Sequence, residues 1–442
     1  MGAFWCELAW LGGDGVEAGV LVEAEGERIA RLKPGTGAPR AATRLRGVVL
    51  PGFANVHSHA FQRALRGRAQ RGEGSFWTWR ERMYELAESL DPDSYLRLAT
   101  ATFGEMALAG ITTVGEFHYL HHDRGGRRYS EPNAMGEAVV EAARRAGIRI
   151  TLLDACYLRG GIGAEPRGAQ LRFCDGDVDG WAERVSQLAE GPGVKVGAAI
   201  HSVRAVDPGS AGAVAVWAAR RGAPLHAHVS EQPAENEDCI AAYGSTPVRL
   251  LADAGAVSER FVAVHGTHLD DAGLRLLGEA RSACCLCPTT ERDLADGIGP
   301  ARRLAESGVR LALGTDSNAV IDLLEEARAL ELDERLATRV RGNHRPHDLL
   351  GAATSSGHAR LGWAEAGRLE PGALCDLVAF RLDSVRLAGT VAADAIPGLV
   401  FAGTAADVGD VVVGGRHVVR DGLHADLDVA GELRASIEAL ST

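Results

Sequence analysis

The stretch Val48-Val49-Leu50-Pro51-Gly52-Phe53-Ala54-Asn55-Val56-His57-Ser58-His59 is an apolar run that closes on two histidines. Side chains alternate along an extended strand, so both imidazoles leave the same face, where one divalent ion can meet both. The design recurs further along. His226-Ala227-His228-Val229-Ser230-Glu231, Val262-Ala263-Val264-His265 and Leu313-Gly314-Thr315-Asp316 each end an apolar run with a metal-capable or acid/base residue. One His-x-His pair can arise by chance, but four such groups at strand ends point to a metal-dependent site.

The apolar runs number eight: Val48–His57, Ile111–Phe117, Ile148–Tyr157, Val194–His201, Ala223–Val229, Phe261–His268, Ala283–Pro288 and Arg310–Thr315. Between them lie stretches with helical periodicity, including Ser94–Ala109, Ala134–Ala146, Asp179–Ala189, Pro208–Arg221 and Pro300–Ser307. Gly110, Gly147, Gly222 and Gly308 sit between helical stretch and strand, where a left-handed cap is expected. Eight β-then-α units predict an α/β fold, a parallel (β/α)8 TIM-like barrel over residues 51–367 with its chemistry at the C-terminal ends of the strands. All the ligand candidates fall there.

The two ends of the chain read differently. Residues 16–33 and 368–420 alternate in short strands, and Val411-Val412-Val413-Gly414-Gly415-Arg416-His417-Val418-Val419 reads as a hairpin with Gly-Gly at its turn. Neither piece carries enough apolar surface to fold alone. Residues 1–50 and 368–442 are therefore expected to combine into one small β-sandwich domain.

A hydrophobic content of 46% and a charged content of 24% fit a soluble globular enzyme. The 47 basic and 59 acidic residues leave a formal charge of -12, which disfavours nucleic acid and anionic membrane as partners. No apolar run reaches the ~20 residues that span a bilayer, and the N-terminus lacks a signal-peptide pattern, so a cytoplasmic enzyme is expected. Lysine occurs only at Lys33 and Lys195, so an anionic substrate would need locally placed arginines. The eight cysteines lack the paired spacing of a zinc finger and read as reduced thiols.

The His-x-His strand, the strand-five His with Glu three residues on, the strand-six His and the strand-eight Asp resemble the mononuclear aminohydrolase branch of the amidohydrolase superfamily. More specific are residues 51–62, Ser75-Phe76-Trp77-Thr78-Trp79-Arg80-Glu81, Glu116-Phe117-His118-Tyr119, His201-Ser202-Val203-Arg204-Ala205 and Cys287-Pro288-Thr289-Thr290-Glu291. Together these are similar to the formimino-glutamate deiminases of bacterial histidine degradation, over residues 48 to 380.

The resemblance implies one divalent ion per subunit, held by His57, His59, His228 and Asp316, with zinc expected and iron fitting the same ligands. His226 shares the segment, but the spacing to Glu231 favours His228. A sibling branch bridges two metals with a carboxylated lysine near the end of strand four. Lys195 precedes His201 by about 20 Å of strand at ~3.3 Å per residue, which places it at the opposite mouth.

Roles follow from the same resemblance. The ion lowers the pKa of its water toward ~7, Asp316 accepts a proton, His265 hydrogen-bonds the water or the developing anion, and Glu231 shuttles protons so that ammonia can leave. Arg80 and Arg204 occupy the motif positions for the two carboxylates of a small dianionic substrate, with Gln62, Tyr119 and His201 as polar partners. The aromatic run Phe76-Trp77-Thr78-Trp79 reads as packing rather than substrate stacking, and His118, His121 and His122 as polar lining or lid on the strand-two loop. The expected reaction is hydrolysis of N-formimino-L-glutamate to N-formyl-L-glutamate and ammonia by a homodimer. Two alternatives are a sister aminohydrolase acting on a purine or related heterocycle and a barrel scaffold without catalysis. The intact ligand set with Glu231 argues against the scaffold.

Overall fold

The computed structural model describes residues 2–70 and 74–440. Eight parallel strands, Phe53–Ser58, Ile111–His118, Arg149–Cys156, Val194–Ile200, Leu225–Val229, Phe261–His265, Ala283–Leu286 and Arg310–Leu313, pair each with the next in chain order. Helices between them cover the outer face, so the strands are buried on both sides and read as continuous apolar runs. The ring closes where Asp316 N donates to His57 O at 2.9 Å and His59 N donates to Asp316 O at 2.9 Å. The barrel of eight β-then-α units is thus present, with φ of +72° at Gly147 and +64° at Gly222 after helices Ala134–Ala146 and Pro208–Arg221.

The run expected as one strand, Val48–His57, is divided. Thr43–Pro51 belongs to a second sheet and Phe53–Ser58 opens the barrel, with Gly52 between them. A Cβ on Gly52 would stand 2.3 Å from the Thr112 side chain, so only glycine lets the chain pass from one sheet to the other there.

The second sheet is mixed and takes strands from both chain ends: Gly2–Ala9, Glu17–Glu25, Arg28–Lys33 and Thr43–Pro51 join Leu377–Phe380, Val408–Val413, Arg416–Arg420 and Leu423–His424. Strand alternation divides its side chains between two cores. Leu45, Val49, Leu377 and Ala379 enter a core enclosed by this sheet, whereas Val48, Leu50, Val378 and Phe380 join the barrel core. Along Val48–Pro51 and Leu377–Phe380, where both faces are buried, the sheet is fastened to the barrel. Helix Val429–Ala439, near the chain end, packs against barrel helix Pro92–Leu108, where Val429 meets Gly104. Among the described residues no helix is long and apolar enough to cross a membrane.

Candidate active site

Strand alternation presents His57 and His59 on one face, and the structure brings Asp316 and His228 to them. The Nε2 atoms of His57 and His59 each lie 3.3 Å from Asp316 Oδ1, and His228 Nε2 lies 3.1 Å from His57 Nε2. His59 and His228 each turn Nδ1 onto a backbone carbonyl, Phe117 at 2.9 Å and His201 at 2.8 Å. A neutral imidazole that donates from Nδ1 keeps a lone pair at Nε2, so these Nε2 atoms converge as donors on a common point. The edges of a tetrahedron with bonds of ~2.0–2.1 Å are ~3.3–3.4 Å long, and the observed spacings fit a divalent ion at that point. Burial pushes His57 down to about 3 and lowers His59 and His228, which keeps the rings in the neutral form that ligates. Burial would raise Asp316, but the hydrogen bond and charge of His57 hold it well below the usual carboxylate range.

The residues flanking this cluster are held in unusual backbone conformations. Ser230, His265 and Asp316 have φ of +52°, +68° and +45°, the left-handed region that non-glycine residues keep only where surrounding structure enforces it. The turn at Ser230 carries Glu231, whose Oε1 lies 3.7 Å from His265 Nε2. His265 Nε2 is also 4.0 Å from Asp316 Oδ2, while its Nδ1 faces Glu291 Oε1 at 3.4 Å. Glu291 Oε1 in turn accepts from Cys287 N at 2.8 Å. Burial alone would lower His265, yet Glu231, Glu291 and Asp316 together raise it to about 10.

These groups open into a cavity of about 250 Å³. Gln62, Arg80, Tyr119, His201 and Arg204 all line it, together with His59, His228, Glu231, His265 and Asp316. Gln62 Nε2 donates to Tyr119 Oη at 2.9 Å, and Gln62 Oε1 is buried without a partner. Arg204 Nη2 donates to Glu231 Oε2 at 2.9 Å. Of the aromatic run read as packing rather than substrate stacking, Phe76, Trp77 and Trp79 line the cavity. Trp77 stacks on the Arg80 guanidinium at 4.4 Å, three residues away on helix Phe76–Ser89, and Phe76 lies 5.6 Å from that of Arg204.

The family model for amidohydrolases matches residues 48–418. The chain belongs to the amidohydrolase family. Members of this family bind a metal, and the chain is a hydrolase of C–N bonds with His57, His59, His228 and Asp316 converging as candidate ligands. The formimidoylglutamate deiminase of Pseudomonas aeruginosa is 38% identical to this amidohydrolase over 411 residues, 90% of each chain. The 8-oxoguanine deaminase of the same bacterium is 32% identical over 97% of this chain and 95% of that one. The crystal structure of an amidohydrolase from Brucella melitensis shares the fold over the full length of both chains, with a TM-score of 0.92 and 33% identity.

Other polar residues of this amidohydrolase lie outside the cavity. His226 Nε2 contacts the Arg360 carbonyl at 3.2 Å, on the same face of strand Leu225–Val229 as His228 but two residues further from its C-terminal end. Lys195 binds the Gly362 carbonyl beneath Trp363, far from the cluster. His118, His121 and His122 form neither lining nor lid. They are buried in a structural network in which Arg184 bridges Asp154 and Asp175, His122 Nε2 meets Asp175 Oδ1 at 3.0 Å, and His121 meets the Ala155 carbonyl at 2.9 Å. His118, His121 and Asp154 are close enough to share an ion, but the Arg184 guanidinium already occupies both Asp154 oxygens. The motif that contains Glu291 was legible, but its hold on His265 was not, because an acid in the first turn of helix Pro288–Asp293 reads as an ordinary helix-start residue.

Proposed function

We propose that this amidohydrolase hydrolyses N-formimino-L-glutamate to N-formyl-L-glutamate and ammonia. The observation that carries the reading is one cavity in which the convergent donor cluster and Glu231 share space with guanidinium groups, Arg80 and Arg204 among them. The substrate has a matching polarity, an amidine-like carbon at one end and two carboxylates at the other. In a chain with a formal charge of -12, carboxylates call for placed, bidentate arginines rather than a diffuse field. The 38% identity to a formimidoylglutamate deiminase supports the same substrate.

One divalent ion, zinc by the chemistry of three imidazoles and a carboxylate, would be held by His57, His59, His228 and Asp316 and would lower the pKa of water toward ~7. Asp316 has a second oxygen turned toward His265 and can accept a proton there. Glu231 stands between His265 and Arg204, where it can pass a proton to the departing nitrogen so that ammonia leaves instead of an amide anion. His265, fixed at Nδ1 by Glu291, presents Nε2 to the developing charge.

The aromatic lining and the similarity to an 8-oxoguanine deaminase favour a second reading, deamination of a neutral heterocycle. That substrate offers neither arginine a carboxylate. Ammonia release over formimino-glutamate, formimino-aspartate, guanine and 8-oxoguanine separates the two. Formimino-glutamate is expected to react best, and formimino-aspartate poorly because it is one methylene short of the span. Efficient turnover of a purine with none of formimino-glutamate overturns the first reading.

A further inference from the structure

A second carboxylate stands behind Glu231. Glu235, in the first turn of helix Pro233–Tyr243, is 2% exposed. Its oxygens accept from the backbone N–H groups of Ser230 at 3.2 Å and Glu231 at 3.3 Å. Ser230 has φ of +52°, so the turn that aims Glu231 into the cavity costs backbone energy and needs something to hold it. The same carboxylate reaches sideways, with Oε2 3.9 Å from Arg204 Nε, while Arg204 Nη2 donates to Glu231 Oε2 at 2.9 Å. Glu235 therefore grips Glu231 twice, through the peptide beneath it and through the guanidinium beside it. Glu231 and Arg204 line the cavity, and Glu235 is not among its lining residues.

We propose that Glu235 is a positioning residue, which sets the Glu231 carboxylate and the Arg204 guanidinium against the substrate without touching it. This deepens the reading above and rests on Glu231 as the proton-transfer residue. A carboxylate at this point of a helix can also serve as a simple cap. A cap would act on stability alone and would be indifferent to the side chain at position 231.

The test is a double-mutant cycle on the metal-loaded enzyme, with Glu235→Gln and Glu235→Asp made alone and on top of Glu231→Gln. Glutamine keeps the volume, but its amide NH2 cannot accept, so one backbone N–H and the charge facing Arg204 lose their partner. Glu235→Gln is expected to lower kcat for formimino-glutamate by ~10- to 100-fold and raise KM, at unchanged metal content. On the Glu231→Gln background the further fall in kcat should be under about twofold, because the group being positioned is already disabled. Glu235→Asp keeps the charge and should restore KM more fully than kcat. Equal fold-losses on both backgrounds overturn the proposal and leave the role of Glu231 standing. Undiminished turnover in Glu231→Gln alone overturns that role and the proposal with it. If Glu235→Gln does not fold, the aspartate pair carries the same comparison. Amide hydrogen exchange gives a readout independent of turnover: Ser230 and Glu231 should exchange faster in the variant while strand Phe261–His265 does not, and unchanged exchange at both amides also overturns the proposal.

Discussion

Arg80 is a cation that the protein holds only by its flanks, and this makes its removal informative. Its guanidinium lies 4.4 Å from the Trp77 ring centre and 5.6 Å from that of Tyr84, and its Nε is buried without a partner. Whereas Arg204 pairs with Glu231, no carboxylate of the described residues pairs with Arg80. Ring-face contacts return ~0.5–2 kcal/mol each and leave the polar edge of this half-buried fork open. A substrate carboxylate is the partner that fits that edge. Truncating one partner of such a pair costs ~2–5 kcal/mol, which at ~1.4 kcal/mol per decade is roughly a 30- to 4000-fold fall in kcat/KM. The assay is ammonia release from formimino-glutamate by Arg80→Met and Arg80→Lys, with metal content and melting temperature measured alongside. Lysine keeps the charge but not the fork and should fall between wild type and Met. Since no protein carboxylate loses a partner, the melting temperature of Arg80→Met should stay at or above that of wild type. A variant that melts lower while keeping kcat/KM within about threefold would make Arg80 a structural residue and refute the reasoning.

Elemental analysis of the purified protein should give one divalent ion per chain, and two ions, or none after supplementation, would contradict the cluster as described. Glu231→Gln is expected to keep the ion and lower kcat by ~10² or more, read as single-substrate kinetics with metal analysis. Glu291→Gln should leave the ion in place and slow turnover by ~10-fold or more by releasing the His265 ring, and a variant of normal kcat removes Glu291 from the machinery. Burial pushes the Glu116 carboxyl up to about 8, so the fold binds a proton that the unfolded chain releases near 4.5, the ordinary value for a glutamate. Stability from this group is full below the lower value and falls as pH rises to the upper one. Glu116→Gln should therefore gain on wild type in melting temperature between pH 5 and 8, with no further gain above, and a gap that does not change with pH refutes the assignment.

What the sequence discloses here follows from periodicity. Strand alternation and the eightfold recurrence of apolar runs mark the barrel, and residues at strand ends can be placed because the end of a strand is also the mouth. His228 separates from His226 on the same ground, since two residues along a strand return to the same face but not the same depth. The division at Gly52 stays hidden because apolar residues flank it on both sides, and the clash with Thr112 that enforces it comes from a residue sixty positions away. Glu235 and Glu291 stay hidden for another reason. An acid in a helix's first turn has an everyday explanation in the helix dipole, and only the fold reveals that each also reaches a functional side chain. The stacking of Trp77 on Arg80 was visible as a three-residue spacing, but an exposed helix face would show the same spacing.

The seam at which the ring closes has a consequence for how the molecule is made and unmade. The backbone bonds that join the first strand to the last pass through His57, His59 and Asp316, the same residues that converge as candidate ligands. Those partners are separated by most of the barrel's sequence, so their meeting is a late, high-contact-order event in assembly. Closing the ring and bringing these three candidate ligands together are then a single act. A cation that binds only the closed form adds its binding free energy to the clasp, so the resting ensemble of the stripped protein should breathe at this edge first. The order in which the chain comes apart is thereby written into the residues that do its chemistry.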